Sequence, residues 1–582
     1  MGRKGGKMML KMLLCSVCVC WLLLEAQAEA SGVVRGDDVL PVFVSTNVAE
    51  NIVLDFGRHA FGWIEVNVEK PGPYEFIWGE LLDQEAGSVQ TNEFYTRRQG
   101  RVRCAHTKGR FTRSGWVRIP YVAGSGSAFR TEAVDGFGTI MPFRWLEVVS
   151  APFDISAANV RQVPIYYPYD MGESKFECDL PALERVYGFC KHSIRATTYM
   201  GVFVDGDRER LAYEADSFIT QLGTYAITSD DSLVRRTIGH LATYTTWPTE
   251  WKQFFVRMVY EDWMHSGKTD LVRRHWALMR DVKSWRSLRR EDGLLVTPGN
   301  RMQPSPDGGT FCDIVDWAMC YRDGFVFTPL NVVVNALHYR NLRELEAMAG
   351  SIGESAAAAV FAGEAERTFG SFQRVFFDSS SRRYRDGINT EHATVQGNAM
   401  ALACGLVPEK HVQDVAGYVE SKGFSCSTYM AQFVLEALFA AGREDAAIRL
   451  MSSDGARSWL GMMKKGATIT PEFWDLTLEE PGRVPDMNHS WSTAPLNMIS
   501  RWVLGVRPRT PGFETISIAP HPGPLKRLSG KVPTPQGVVC LEMRLKSGKW
   551  HVEVSNPRFS EFRLGRRTMG LRPGRHSFDI EP

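Results

Sequence analysis

The sequence predicts a multidomain chain: a central all-α (α/α)6 barrel flanked by an N-terminal β-sandwich and a small C-terminal β-sandwich. Three observations lead there. At 582 residues the chain exceeds what one hydrophobic core supports, so two to four domains are expected. Its texture changes twice, from short β-branched and aromatic segments to long stretches with apolar residues at helical spacing, and back again. The helical stretches follow one another across short Gly, Ser or Asp breaks, as antiparallel helix pairs do.

The first residues read as a leader. Arg3, Lys4, Lys7 and Lys11 come before the apolar run MLLCSVCVCWLLL, and small residues follow in AQAEA. This is the order of a secretory signal peptide, expected over residues 1–28 with cleavage after Ala28 or Ala30. The run is shorter than the roughly 20 residues a membrane-spanning helix needs. A product exported to the periplasm or the medium is therefore expected, free of the membrane once cleaved, with an uncleaved anchor as the alternative.

Residues 35–162 read as the N-terminal β-sandwich. NIVLDFG, GWIEVNVE, PYEFIWGE and FRWLEVVS are short runs bounded by Gly, Pro and Asn, and Trp63 to Val68 alternates apolar with polar residues. Residues 163–506 read as the barrel, with roughly a dozen amphipathic helices in segments such as PALERVYGFCKHSIRATTY and YMAQFVLEALFAAGREDAAIRLM. They carry no sequence repeat, which favours a closed toroid of six inner and six outer helices over a solenoid. Residues 507–582 return to short strands (TISIAP, VVCLEMRL, WHVEVS) and read as the C-terminal β-sandwich.

Bulk composition excludes several classes. With 44% hydrophobic and 23% charged residues the chain is globular, and a net charge of +2 gives no reason to expect nucleic acid or an anionic membrane as partner. Eight cysteines follow the leader without CxxC spacing or paired histidines, so a zinc site is unsupported. Sixteen Trp and 17 Tyr offer flat apolar faces with polar edges, suited to sugars as well as to buried core. The oligomeric state is not legible.

Two segments carry chemistry: DGDRERLAYEAD at 205–216 and GATITPEFWD at 466–475. They supply Glu209 and Glu472. One carboxylic acid to protonate a leaving oxygen and one carboxylate to activate water is what cleavage of a glycosidic bond requires. On a continuous helix Glu209, Tyr213 and Asp216 would fall at i, i+4 and i+7 and share a face. The competing reading is an exposed helix with ordinary charge pairing such as Arg210 with Glu214. Glu472 could likewise belong to a helix opening at Pro471.

Both segments resemble the active-site motifs of the bacterial α-L-rhamnosidases, glycoside hydrolase family 78, in the same chain order. The family's Asp, Arg-Glu-Arg-Leu, aromatic and second Asp match Asp205, Arg208-Glu209-Arg210-Leu211, Tyr213 and Asp216. Its later segment matches Gly466-Ala467-Thr468, Glu472 and Trp474, and MNHSW resembles its Asn-His pair at His489. The resemblance implies Glu209 as general acid and Glu472 as general base. It implies Asp205, Arg208, Asp216, Trp474 and His489 around the sugar, with Tyr213, Trp251 and Trp317 as walls. Departures are a first interval shorter by one residue, Tyr213 and Pro471 where Trp is usual, and Gln253 near a common acidic position. LDFGRHAFGWIEVNVEKPGPYEFIWGELLD and RWVLGVRPRTPGFETISIAPHP are similar to the strands entering and leaving the family's barrel.

The function this implies is exo-acting, inverting hydrolysis that releases terminal α-L-rhamnose from a glycoside or polysaccharide, with a carbohydrate as partner and no metal or organic cofactor. The calcium site of larger relatives is not implied. The alternatives are another sugar on the same barrel, or an exported glycan-binding protein without catalysis.

Overall fold

The computed structural model describes residues 32–90, 103–121, 133–244, 246–475 and 486–581. The leader expected at 1–28 lies outside the described residues. The chain is multidomain, with a helical core between β-rich N- and C-terminal regions.

The N-terminal region is an eight-stranded sheet. Its strands are β1 (Val34–Arg35), β2 (Phe43–Thr46), β3 (Ile52–Val68), β4 (Gly72–Gly79), β5 (Cys104–Phe111), β6 (Gly115–Arg118), β7 (Met141–Ser150) and β8 (Val160–Tyr166). The order is β1-β8-β3-β7-β4-β5, with β2 and β6 also on β3. Alternation sets the faces. Ile64, Val66 and Val68 are buried while Glu65 and Asn67 are less so, and they join Leu54, Phe56, Trp78 and Phe143 in a core separate from that of the helices. Strand β8 carries this sheet four residues past the boundary expected at 162, because Trp63 and Gly62 of β3 pair with Val163 and Pro164.

Next come β9 (Lys175–Cys178) and thirteen α-helices among the described residues. They are α1 (Pro181–Thr197), α2 (Glu214–Tyr225), α3 (Ser232–Leu241), α4 (Thr249–Ser266), α5 (Asp270–Ala277), α6 (Val332–Ile352) and α7 (Ser355–Phe376). Then follow α8 (Val395–Ala403), α9 (Glu409–Lys422), α10 (Thr428–Ala440), α11 (Glu444–Met451), α12 (Trp459–Lys464) and α13 (Ala494–Met498). Burial alternates along this series. Helices α2, α8 and α10 are buried almost all round, whereas α3, α7, α9 and α11 bury one face. A helix covered on every side lies inside other helices, and one that buries a single face covers them. Asn331, Thr394 and Ser427 cap α6, α8 and α10 through side-chain oxygens.

The C-terminal region holds two sheets. Val506–Pro508, Ile516–Ile518, Ser560–Leu564 and Arg567–Leu571 form one. Gly574–Ile580, Lys549–Asn556, Val539–Lys546, Arg527–Val532 and β9 form the other. The expected boundaries need correcting here as well. Strand β9 lies in the segment assigned to the barrel yet completes a C-terminal sheet, with Phe176 opposite Gly530. The strand Val506–Pro508 straddles the boundary at 506. Trp502, Leu504, Phe513 and Ile516 share one core with the helices. No helix among the described residues is long and apolar enough to cross a membrane.

Candidate active site

The segment from Asp205 to Tyr213 is a closed loop, not the continuous helix the spacing allowed; helix α2 starts only at Glu214. The loop is tied at its neck. Asp205 N–H donates to Leu211 O at 2.8 Å, and Asp205 Oδ1 accepts from Leu211 N–H at 2.9 Å. Between them Arg210 takes a left-handed conformation, φ 50°, and a non-glycine residue there ends any helix. Glu209 thus projects from a turn, Asp216 from the first turn of α2, and both still reach one cavity.

Glu472 lies in an irregular segment, so no helix opens at Pro471. Its backbone is fixed on several sides. Thr428 Oγ1 and Trp491 Nε1 donate to Glu472 O at 2.7 and 2.9 Å, and Glu472 N–H donates to Asp486 O at 2.8 Å. Its buried carboxylate accepts from Arg208 Nη1 at 2.9 Å, Asp486 N–H at 3.0 Å and Trp317 Nε1 at 3.3 Å. Glu209 is more open, with its side chain 39% exposed. It accepts from Tyr213 OH at 2.9 Å and lies 3.6 Å from Arg208 Nη2.

The cavity measures about 140 Å³. Asp205, Arg208, Glu209, Asp216, Glu472 and His489 supply its polar lining, and Tyr213, Trp251 and Trp317 line it as aromatics. The structure does not bring Trp474 there. That ring is fully buried, stacks on Phe424, meets Trp459 edge-on, and its Nε1 donates to Cys426 O at 2.8 Å. Two other tryptophans complete the wall. Trp247 stands edge-to-face with Trp317, and Trp491 lies against both Trp251 and His489. Trp491 ends the MNHSW motif, where the sequence points to His489 alone; Trp247 has no signal beyond its place in TTWPTEW.

Negative charge is crowded. Burial, then Glu209 and Asp486, push the Asp205 carboxyl well above the usual range, and burial does the same to Asp216. Burial also lifts Asp486 to about 8, against the pull of Arg208. Burial, reinforced by Arg208, pushes His489 well below the usual imidazole range. Arg208 stays charged because Glu472 and Asp486 outweigh its burial. Asp216 Oδ2 and His489 Nδ1 are buried and have no hydrogen-bond partner among the described residues. Asp205, Asp486 and His489 bring ligand-type atoms within 4.8 Å of one another, the one such set among the described residues that a cation could span.

The buried cysteines Cys104, Cys178, Cys190, Cys312, Cys404 and Cys426 behave as small apolar residues, and the site makes no use of them.

The chain has relatives. A family model for the bacterial alpha-L-rhamnosidase 6 hairpin glycosidase domain matches residues 172–503, and one for the bacterial alpha-L-rhamnosidase C-terminal domain matches 505–565. A curated alpha-L-rhamnosidase of Alteromonas sp. (strain LOR) is 29% identical over 197 residues, covering 32% of this chain and 21% of its own. The native rhamnosidase structure from Aspergillus terreus superposes with a TM-score of 0.76 at 17% identity, covering 94% of this chain and 64% of that one. The Streptomyces avermitilis alpha-L-rhamnosidase, solved with L-rhamnose, gives 0.74 at 17% identity, with coverage of 94% and 54%. The chain therefore spans less than two thirds of these structures' length, and they speak to its fold. Since the first family model covers more than half of the sequence, the chain belongs to the bacterial alpha-L-rhamnosidase family.

Proposed function

We propose that the protein is an exo-acting, inverting glycoside hydrolase that releases terminal α-L-rhamnose from glycosides or rhamnose-containing polysaccharides, and that it is exported. One observation carries the reading: Glu209 and Glu472, from segments far apart in the chain, face one cavity and are bridged by the single guanidinium of Arg208. The alternation of covered and covering helices supports their closure as an (α/α)6 barrel around that cavity.

In this reading Glu209, the more open carboxyl, protonates the glycosidic oxygen as the bond breaks. Glu472, fixed by Arg208, Asp486 N–H and Trp317, takes a proton from the attacking water. Arg208 Nη2 lies 3.4 Å from Glu472 Oε1 and 3.6 Å from Glu209 Oε1, so those oxygens are at most the sum, about 7 Å, apart. That limit admits the span of inversion, which begins near 6.5 Å, and equally the about 5 Å of retention, so the inverting course rests on the family resemblance and is tested by the anomer formed. The unpartnered Asp216 Oδ2 and His489 Nδ1 suit sugar hydroxyls, with Asp205 beside them. Trp247, Trp251 and Trp317 would face the C5 methyl of a 6-deoxy sugar, whose burial contributes about 0.8 kcal/mol. A cavity of about 140 Å³ is well below the 300–1,000 Å³ of pockets for larger ligands, which supports one terminal ring at a time.

The test is hydrolysis of p-nitrophenyl α-L-rhamnoside with the first-formed anomer followed by proton NMR. β-L-Rhamnose appearing first supports inversion, and the α anomer appearing first overturns it. A folded wild type that ignores this substrate but turns over another aryl glycoside discards the sugar.

A further inference from the structure

Beneath the catalytic loops lies a closed ring of four buried residues from three separate parts of the chain. Glu80 follows β4 and Arg103 precedes β5, and the two meet across that pair of strands: Arg103 N–H donates to Glu80 Oε2 at 2.9 Å. The Arg103 guanidinium donates through Nε to the Asp207 carboxylate and through Nη1 to Tyr121 OH at 2.9 Å. Asp207 N–H donates to Asn488 Oδ1 at 3.0 Å. Asn488 Nδ2 closes the ring by donating to Glu80 Oε1 at 2.7 Å. All four residues are buried, and none lines the sugar cavity.

Position gives the ring its meaning. Asp207 lies between Asp205 and Glu209 in the loop that carries the proposed acid, and Asn488 directly precedes His489. The acid loop is held at its neck by Asp205 and Leu211, but its tip bends through the left-handed Arg210. Beside the bond from Arg208 N–H to Asp486, that tip is held by Asp207, gripped by Arg103 on one side and by Arg210 Nη2 at 2.7 Å on the other. The same sheet reaches the Glu472 segment too: His59 N–H donates to Thr468 Oγ1 at 2.8 Å, and His59 Nε2 lies 2.6 Å from Glu80 O.

We infer that Glu80, Arg103, Asp207 and Asn488 are positioning residues through which the N-terminal sheet holds the acid loop and the His489 segment in register, making that sheet a working part of the active site. This rests on the proposed hydrolase reading for what is positioned. Misplacement of a reacting group by about 1 Å is enough to cost about 10²-fold in rate. The ring acts through the acid loop and the His489 segment without itself touching the sugar, so its loss should appear chiefly in kcat.

Arg103→Met is the variant of choice. Arg210 still neutralises Asp207, so no lone carboxylate is left buried and the fold is expected to survive. Steady-state kinetics on p-nitrophenyl α-L-rhamnoside should show kcat lowered about 10²-fold with KM within about threefold, at a thermal midpoint that leaves the protein folded during assay. Arg103→Lys, which keeps a cation against Asp207, should recover part of the loss. An Arg103→Met protein with wild-type kcat would overturn the inference, as would loss of activity only in proportion to unfolded protein. A crystal structure of Arg103→Met separates this inference from the hydrolase reading. If wild type hydrolyses no glycoside, that reading fails by itself, while displacement of Arg208 and Glu209 in the variant sustains the ring's role and unmoved side chains refute it.

Discussion

Arg208 holds Glu472 with two N–H donors, Nη1 to Oε2 at 2.9 Å and Nη2 to Oε1 at 3.4 Å, while its Nη2 also faces Glu209. Neighbours in sequence, Arg208 and Glu209 face the same cavity, so the proposed base is fixed by the residue next to the proposed acid. The two carboxyls are nevertheless differently equipped: Glu472 is buried under three kinds of donor, and Glu209 is open on one side and accepts from Tyr213.

This asymmetry separates their variants. An acid matters most when the leaving group is a poor one. Glu209→Gln is expected to lose about 10³-fold or more in kcat/KM on an alkyl α-L-rhamnoside and markedly less on the p-nitrophenyl one, whose phenolate departs without protonation. Glu472→Gln should lose both substrates alike, because water must be activated in either case. Equal losses for Glu209→Gln on the two substrates would remove it from the acid role.

The tryptophans divide in the same manner. Trp317 donates to Glu472 and is itself set by a buried carboxylate, Trp317 N–H donating to Asp316 Oδ1 at 2.8 Å. Trp317→Phe keeps an apolar wall and loses the donor, so kcat should fall roughly 10-fold with little change in KM, the loss expected for a hydrogen bond to a charged group. Trp474→Ala, in the core, should instead cost about 3–5 kcal/mol of stability and leave KM of the surviving folded protein unchanged. A KM rise for Trp474→Ala with unaltered unfolding would return that ring to the sugar site.

How far the sequence carried can be judged from these residues. The textures at 35–162 and 163–506 reflect local periodicity, which a sequence displays directly, and Glu209 and Glu472 stood in recognisable segments. Trp474 and Trp491 show where this stops. Both sit in motif segments, but which ring faces the cavity depends on the path of an irregular backbone that no periodicity describes. The helix allowed over 205–216 failed for a related reason: side chains within the loop, Asp205 to Leu211 above all, bind its backbone in place of helical bonds. Arg103 and Asp207 stand 104 residues apart, and nothing in one sequence joins them.

Gly206 lies close against Asp486. A methyl group there would stand 2.5 Å from Asp486 Oδ2, 2.8 Å from its Cγ and 3.0 Å from Asn488 O. Neither partner is at liberty to yield, since Asp486 binds Arg208 N–H at 2.8 Å and Asn488 binds Asp207. Gly206→Ala is therefore expected to push the acid loop outward and lower kcat about 10- to 100-fold. Gly188→Ala in α1 meets nothing within 4 Å and serves as the control, with unchanged kinetics and a gain of about 0.5–1 kcal/mol in stability. Wild-type kcat in Gly206→Ala would show that the loop adapts without consequence.

Far from the cavity, Asp262 on α4 provides a pH test of the helical core. Burial lifts its carboxyl from the ordinary 3.8 to about 7, although Arg235 Nη1 donates to it at 2.5 Å and pulls the other way. The folded state therefore keeps a proton that the unfolded chain releases, so stability falls as pH rises from about 4 to about 7 and levels off beyond. Each pKa unit between the two states corresponds to about 1.4 kcal/mol. Asp262→Asn has no such proton to lose. The thermal midpoint of the variant should therefore rise relative to wild type by several degrees between about pH 4.5 and 7, then hold a constant offset. Glu80, Glu250 and Asp486, also lifted to about 8, remain in both proteins and cancel from the difference. Differential scanning calorimetry across this range decides the matter: an offset that does not change with pH would mean that Asp262 is ionised in the folded core throughout, with Arg235 and not burial in control.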